Sequence, residues 1–263
     1  MVLVLLSPSK TQDFHSDVRL PSGVGPTGPR TLESARRVMG AVRALPRAEL
    51  HRRLKLTAGL VEDVDRAIEA WSGRGGRPAA FAYTGETYRG VAIRSLADGA
   101  LAAAGRQIRI LSALYGVLRP LDRIEPYRLD FSVSLRVGQT RSLYEFWREQ
   151  VTAHLADDVR ETGALAVVNL ASGEFARAVD ATALGVPVIT PEFRQRERGT
   201  LKGVTVFSKQ ARGAMARWIV TTGVQRPDEL ARFAEEGYSL LTDARQPGAL
   251  IFAREAGCSG RSG

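Results

Sequence analysis

Short apolar runs and helical periodicities alternate along the chain. The apolar runs are too short for helices, and they predict strands buried on both faces. They occupy residues 2–6, 79–83, 108–114, 164–170, 186–190 and 204–207. Apolar side chains that recur at helical spacing predict amphipathic helices. These cover about residues 32–45, 47–55, 61–71, 93–104, 143–155 and 228–236, and a further helix follows Ser208.

The alternation of strands and helices predicts an α/β fold. A β-rich end over residues 238–254 indicates a mixed sheet, which the helices would flank. The chain has no internal repeat, and we expect residues 1–255 to form a single compact domain. The remaining residues, 256–263, are rich in glycine and serine and predict a disordered tail.

Five of the predicted strands end in short polar clusters. Loops at the carboxyl ends of parallel strands are the usual place for ligands in α/β proteins. We therefore expect the sheet to bring these clusters together as a single basic cleft that also contains carboxylates. The clusters are Ser7, Ser9 and Lys10; Tyr83 and Thr84; Tyr115, Arg119 and Asp122; Asn169, Ser172 and Glu174; and Ser208, Lys209 and Arg212.

Residues 107–131 carry the densest polar segment of the chain. Cations, carboxylates and phenols alternate there, while Pro120 and Pro126 fix φ and Gly116 permits a positive φ. A stiffened segment can hold side chains at the set distances that a binding or catalytic site requires. The alternative is a surface loop whose charges pair with one another.

Residues 47–71 have the outline of a helix-hairpin-helix element. Two helical patterns are joined by a tight turn that contains Gly59, and Arg52 and Lys55 lie beside that turn. Such a hairpin can present backbone N–H groups to a DNA phosphate at a helix N-terminus. Any pair of antiparallel helices would give the same pattern, so a purely structural hairpin is the alternative.

The composition is strongly basic. The 263 residues contain 37 Lys and Arg against 28 Asp and Glu, which gives a net charge of +9 and a pI near 10.3. The field of such a protein attracts polyanions, so nucleic acid is the first partner to consider. Nearly all of this charge is arginine, a bias that the nucleotide composition of a genome can also produce.

Cysteine and histidine usage predicts no disulfide, no metal site and no cofactor. Cys258 is the single cysteine, which favours a reducing compartment, and His15, His51 and His154 show no metal-binding spacing. The first apolar run has no basic region before it and predicts a strand rather than a signal peptide. No run approaches the ~20 apolar residues of a membrane span. We expect a soluble cytoplasmic protein with no membrane partner.

Long motifs occur in order along most of the chain. They are SPSKTQDF (7–14), YTGETYRG (83–90), LSALYGVLRPLDRIEPYRLDF (111–131), VVNLASGEF (167–175) and FSKQARGAMARWIV (207–220). These motifs resemble the successive motifs of the bacterial YaaA family, the peroxide stress proteins. The resemblance extends from residue 1 to about residue 254, and LYGVLRPLDxIxPYRL is a specific part of it.

The resemblance implies a mixed α/β protein with a positively charged cleft and a helix-hairpin-helix element at about residues 47–71. It also implies binding of double-stranded DNA and survival of hydrogen peroxide, with lowered free iron as part of the protection. Ser9, Phe175 and Phe207 depart from the family pattern, where alanine and two tyrosines are usual. By position, the family's cleft would include Lys10, Arg119, Arg128, Lys209 and Arg212.

Two classes of function remain open. In the first, the chain binds duplex DNA through phosphates, with Ser7, Ser172, Arg52 and Lys55 joining the cations of the cleft. In the second, it is an enzyme acting on a nucleotide, nucleoside or nucleobase. Direct iron binding by carboxylates is a third, weaker option. In the enzyme, Arg119, Lys209 and Arg212 would hold an anion, Asn169 would bind a base or hydroxyl, and Asp122, Glu174 and Tyr115 would be catalytic candidates.

Overall fold

A computed structural model describes residues 1–241 and 250–257. Its strands are β1 (Val2–Leu6), β2 (Arg77–Pro78), β3 (Ile108–Ser112), β4 (Gly116–Leu118), β5 (Arg123–Ile124), β6 (Ala166–Asn169), β7 (Val188–Ile189), β8 (Glu192–Glu197), β9 (Thr200–Lys202), β10 (Ser239–Leu240) and β11 (Ile251–Glu255). Its α-helices are α1 (Leu32–Arg43), α2 (Arg47–Leu54), α3 (Ala58–Ala70), α4 (Ala79–Ala82), α5 (Glu86–Val91), α6 (Asp98–Gln107), α7 (Leu143–Thr162), α8 (Gly173–Ala176) and α9 (Thr205–Thr222). Short 3-10 helices lie at Ile93–Ser95, Ala181–Leu184, Pro227–Arg232 and Glu235–Gly237.

The main sheet has five strands in the order β4-β3-β1-β6-β7. Strands β3, β1, β6 and β7 are parallel, whereas β4 turns back antiparallel to β3. Val4 of the central strand lies opposite Ile108 on one side and Val168 on the other. The chain adds β3 and β6 on opposite sides of β1, so the carboxyl end of β1 is a topological switch point, where α/β sheets leave a crevice.

A second, mixed sheet has the order β10-β11-β8-β9 and packs beside α9. Phe193 of β8 stacks on Phe252 of β11, and both contact the ring of Phe233 edge-on. These rings belong to the same buried hydrophobic core as the main sheet. The chain therefore forms one compact domain with mixed sheets and flanking helices, which confirms the predicted α/β fold.

The backbones of helices α5 and α9 are in direct contact because each helix has a glycine there, Gly90 on α5 and Gly213 on α9. A Cβ placed on Gly213 would lie 1.9 Å from the carbonyl oxygen of Thr87, and one on Gly90 would lie 2.4 Å from that of Gln210. No side chain fits at either distance. This contact fixes the amino-terminal half of α9 against α5 at the carboxyl edge of the main sheet.

Two predicted strands are wrong, because the runs belong to helices. Residues 79–82 of the first run form α4, where three alanines favour a helix and Pro78 precedes its first turn. Residues 205–207 form the first turn of α9. Both runs are short and apolar, and periodicity alone cannot separate a buried strand from a buried helical turn.

Other boundaries shift by a few residues. The predicted helix over residues 93–104 is a 3-10 turn followed by α6, and the run after Ile108 leaves the sheet at Ser112. In the helical hairpin, α3 begins at Ala58, so Gly59 lies inside the helix. Lys55 makes the turn instead, with φ of 52°.

The β-rich carboxyl end is confirmed by β10 and β11. The helix predicted over residues 228–236 is instead a pair of 3-10 turns. Residues 258–263 of the predicted tail, including Cys258, lie outside the described residues. Across residues 1–241 and 250–257, none of the helices combines the length and apolar character needed to cross a membrane.

We expect Gly213→Ala to lower the free energy of unfolding by about 1–3 kcal/mol, because a methyl group would separate α5 from α9. Gly99→Ala is the matched control, since a Cβ there meets no atom within 4 Å and Gly99 also lies in a helix. That control should gain about 0.5–1 kcal/mol. Urea unfolding followed by circular dichroism measures both, and equal stability of the two variants would contradict the packing argument.

Candidate functional site

A cleft of about 500 Å³ opens at the carboxyl edge of the main sheet. Its walls come from segments far apart in the sequence: the loop after β1, the start of α5, residues 127–130, the start of α8 and the first turns of α9. The parallel sheet explains this convergence, because the loops that follow β1 and β6 leave it at the same edge.

Hydrogen bonds join the loops that form the cleft. The Ser7 hydroxyl after β1 accepts from the backbone N–H of Ser172 after β6 at 2.8 Å. The phenol of Tyr88 on α5 donates to the Ser7 carbonyl at 2.9 Å. The Ser9 hydroxyl accepts from the Gly85 backbone N–H at 3.0 Å, just before α5. These contacts hold three walls of the cleft in fixed positions.

Residues 127–130 are fastened to the loop after β1. The Gln12 side-chain amide donates to the Tyr127 carbonyl at 2.9 Å and accepts from the Tyr127 backbone N–H at 3.2 Å. Lys10 forms an ion pair of 2.6 Å with Asp130. The intervening Arg128 is thereby placed in the lining of the cleft.

Cations exceed carboxylates in the lining. Five cationic side chains, Lys10, Arg89, Arg128, Lys209 and Arg212, face three carboxylates, Glu86, Asp130 and Glu174. Asp130 pairs with Lys10, and Glu86 pairs with Arg89 at 2.7 Å while also accepting from Gln210. Across residues 1–241 and 250–257, the side chains of Arg128, Lys209 and Arg212 form no ion pair or hydrogen bond. Three cations are thus left to meet a ligand.

Arg212 is the most constrained of these cations. It is half-buried on α9, one residue before the glycine contact with α5, and its desolvation lowers the pKa of the guanidinium. A guanidinium that loses water without gaining a carboxylate is in an unfavourable state. A carboxylate or phosphate ligand would relieve it through charge-assisted hydrogen bonds.

Glu174 is the cleft carboxylate without a cationic partner among the described residues. Its Oε1 accepts the Ser132 backbone N–H at 3.0 Å, which orients the side chain. Its Oε2 forms no hydrogen bond within the described residues. Glu174 therefore retains a free acceptor, which a general base requires.

The cleft unites most of the candidate residues from the strand ends. Ser7 and Lys10 follow β1, Arg128 follows β5, and Lys209 and Arg212 lie on α9, so spacing in the sequence alone would not join them. Gln12, Glu86 and Asp130 also belong to the cleft and were not predicted, although they lie in motifs that resemble the family. The candidates that line the cleft are Ser7, Ser9, Lys10, Thr84, Arg128, Ser172, Glu174, Lys209 and Arg212.

Asp122 and Arg119 lie outside the cleft lining. Asp122 is 1% exposed and accepts from the Arg119 backbone N–H at 2.7 Å, the Arg119 guanidinium at 3.0 Å and the Thr27 hydroxyl at 2.6 Å. Arg119 also donates to the Gly28 carbonyl at 3.1 Å. Arg119 and Asp122 of this segment do pair with one another, but the carboxylate of the pair is buried, unlike that of a surface loop. The function of the pair is to hold residues 27–28 on the domain.

Tyr115 and Asn169 also have their polar atoms occupied elsewhere. The buried Tyr115 phenol accepts from the Trp71 indole at 2.9 Å and from the Glu125 backbone N–H at 3.1 Å, and burial raises its pKa. Asn169 accepts from the Ala171 backbone N–H at 3.1 Å and donates to Thr190 beyond β7. Neither side chain lines the cleft, so neither is placed to act on a ligand there.

The helical hairpin of α2 and α3 is electrically balanced. Residues 47–71 contain five Lys or Arg side chains and five Asp or Glu side chains. Several are paired across the hairpin, including Arg47 with Glu69 at 3.1 Å and His51 with Asp65 at 2.9 Å. Arg52 and Lys55 are exposed and lie outside the cleft. Balanced charge gives this hairpin little net attraction for phosphate.

No group of three His, Cys, Asp or Glu side chains is arranged to hold a metal ion within residues 1–241 and 250–257. Carboxylates of the cleft are instead bound to cations or a backbone N–H. The chemistry that the lining offers is therefore anion binding by guanidinium and ammonium groups, with one free carboxylate.

We expect Asp122→Ala to reduce the free energy of unfolding by about 2–4 kcal/mol, because it leaves the Arg119 N–H groups and the Thr27 hydroxyl without their acceptor. Asp63→Ala is the control, since Asp63 is exposed and, within the part of the chain that the structure describes, pairs only with Arg66. Its effect should stay within about 0.5 kcal/mol. Thermal or chemical unfolding measures the stability of both variants. An Asp122→Ala variant as stable as the wild type would contradict the structural role of the Asp122 contacts with Arg119 and Thr27.

Comparison with known proteins assigns the chain to a family. A family model described as "Peroxide stress protein YaaA" matches residues 2–244. A UPF0246 protein of Hahella chejuensis is 38% identical over 252 residues, which cover 93% of this chain and 97% of the relative. A UPF0246 protein of Cereibacter sphaeroides is 37% identical over 257 residues, which cover 97% of this chain and 100% of the relative. A UPF0246 protein of Dinoroseobacter shibae is 39% identical over 257 residues, which cover 96% of this chain and 95% of the relative. The chain therefore belongs to the peroxide stress protein YaaA family.

Proposed function

We propose that the chain acts in the response to hydrogen peroxide as a DNA-binding protein, with the phosphates held by the cations of the cleft. Family membership supports the role in peroxide stress. The observation that carries DNA binding is the half-buried Arg212 guanidinium, which has no carboxylate partner among the described residues. Lys209 and Arg128 line the same cleft, also without partners among those residues.

A phosphate diester matches this group of cations. Arginine binds phosphate oxygens through two parallel N–H donors, and lysine adds a point charge that tolerates different geometries. Arg212 and Lys209 lie three residues apart on α9, so their side chains emerge from neighbouring positions of one helix face. One phosphate or two successive phosphates of a strand would therefore satisfy both.

The charge of the whole chain favours a polyanion over a small anion. A net charge of +9 attracts DNA over distances comparable with the Debye length, before any contact forms. Binding that depends on phosphates is largely independent of base sequence and falls steeply with salt. Peroxide damages DNA at no fixed sequence, so a sequence-independent mode suits the proposed role.

This proposal assigns the main phosphate contacts to the cleft rather than to the helical hairpin. The hairpin has equal numbers of positive and negative side chains. Some of its cations form ion pairs within the hairpin, such as Arg47 with Asp65 and Arg53 with Glu49. Arg52 and Lys55 remain available at its surface as secondary contacts. The cleft, by contrast, has an excess of two cations over carboxylates.

A second candidate is an enzyme acting on a nucleotide, nucleoside or nucleobase. Glu174 favours it, because a free carboxylate opposes phosphate binding and yet lies in the same lining as Arg212. A general base held by one backbone N–H beside an anion site is an arrangement that such an enzyme would use.

DNA binding is tested by the salt dependence of affinity for a short duplex, measured by fluorescence anisotropy. Arg212→Ala and Lys209→Ala should each weaken binding and lower the log–log salt slope by about 1, since each removes one phosphate contact. Arg226→Ala removes an equal charge at an exposed position paired with Asp228 and should change affinity by no more than about twofold.

The same titration with Arg52→Ala and Lys55→Ala separates the cleft from the hairpin. Loss of affinity in the hairpin variants together with unchanged binding by Arg212→Ala would contradict the proposal. It would place DNA on α2 and α3 instead.

Glu174→Gln tests the enzyme candidate. It keeps the length of the side chain and removes the negative charge, so duplex binding should persist or strengthen slightly. If the chain turns over a nucleotide or nucleoside, this change should lower kcat by about 100-fold or more, as expected for loss of a general base. Product analysis by liquid chromatography measures it, and an unchanged rate would remove Glu174 from the chemistry.

A further inference from the structure

The volume of the cleft limits which part of a DNA molecule can enter it. A cavity of about 500 Å³ corresponds to a cube about 8 Å on each side. The major groove of B-DNA alone is about 12 Å wide and the whole duplex is wider still, so a double helix cannot enter. Cavities of this volume accept ligands of the size of a single nucleotide.

The lining of the cleft offers two kinds of chemistry. Arg212 and Lys209 provide cations from α9, whereas α8 provides Glu174 with its unoccupied Oε2. Leu129 and Phe175 add apolar surface to the same lining. A phosphate suits the cations, and the N–H groups of a base suit a carboxylate acceptor. Phosphate and base are joined through the sugar in a single nucleotide.

We propose that one nucleotide of the bound DNA leaves the base stack and enters the cleft, with its phosphate on the cations of α9 and a base N–H group on Glu174. This inference rests on the proposed DNA binding and explains why a carboxylate lies within a phosphate site. Adenine, cytosine and guanine carry exocyclic amino groups that can donate a hydrogen bond to Glu174, whereas thymine has no exocyclic amino group. Bases that are already unpaired leave the stack most easily, so the chain should prefer mismatched over fully paired DNA.

The test uses the full chain and duplexes with a single 2-aminopurine, which has an exocyclic amino group and fluoresces when it leaves the stack. One duplex pairs this base and the other places it in a mismatch. We expect fluorescence of the mismatched duplex to rise by about threefold or more on binding, and the affinity to exceed that for the paired duplex by about tenfold. Anisotropy of a distant dye measures binding separately from base extrusion.

Glu174→Leu removes both carboxylate oxygens and should abolish the preference for the mismatched over the paired duplex. Glu149→Leu makes the same charge change at an exposed position of α7, outside the cleft, and should keep the preference. Circular dichroism checks that both variants fold.

Unchanged 2-aminopurine fluorescence in a duplex that is demonstrably bound would overturn this inference and leave DNA binding in place. Absence of binding to either duplex would instead overturn the proposed function, and the inference with it. The same fluorescence rise with Glu174→Leu would show that base extrusion occurs without the contact that we assign to Glu174.

Discussion

The backbone contact between α5 and α9 is the constraint on which the cleft depends. With glycine at position 213, the carbonyl of Thr87 lies where any other residue would place its Cβ. Arg212 is the neighbouring residue, so its guanidinium is held near the carboxyl edge of the sheet and loses part of its water. The switch point beside β1 supplies the opposite wall, through the hydrogen bond between Ser7 and Ser172. Helix packing and sheet topology thus define the same cavity from two sides.

Charge pairing then determines which side chains are available for a ligand. Most acidic groups of the cleft are occupied, because Lys10 holds Asp130 while Arg89 and Gln210 hold Glu86. The cations on α9 have no such partners among the described residues, and the helical hairpin is neutral as a whole. A basic composition spread over a surface would predict only general attraction to polyanions. Unpaired cations within a cavity of nucleotide size predict a specific contact.

The sequence predicts the strands that position this site better than the side chains that line it. Strands β1 and β6 are continuous apolar runs, so their polar ends, with Ser7 and Ser172, were predictable. Asp122 lies outside the cleft, because its oxygens are occupied by Arg119 and by Thr27, a partner 95 residues away that no local pattern reveals. Asn169 likewise bonds to Thr190 beyond β7. The strand predicted over residues 79–83 is instead a helix over residues 79–82, since periodicity cannot distinguish the two in so short an apolar run.

The most direct test of the account is protection of Arg212 from an arginine-selective reagent. The chain would be treated with phenylglyoxal with and without saturating duplex DNA, and modification of each arginine would be read by peptide mass spectrometry. The account predicts that DNA protects Arg212 and Arg128, while the exposed Arg226 is modified equally in both samples. Equal modification of Arg212 with and without bound DNA would contradict the claim that its guanidinium is the phosphate site.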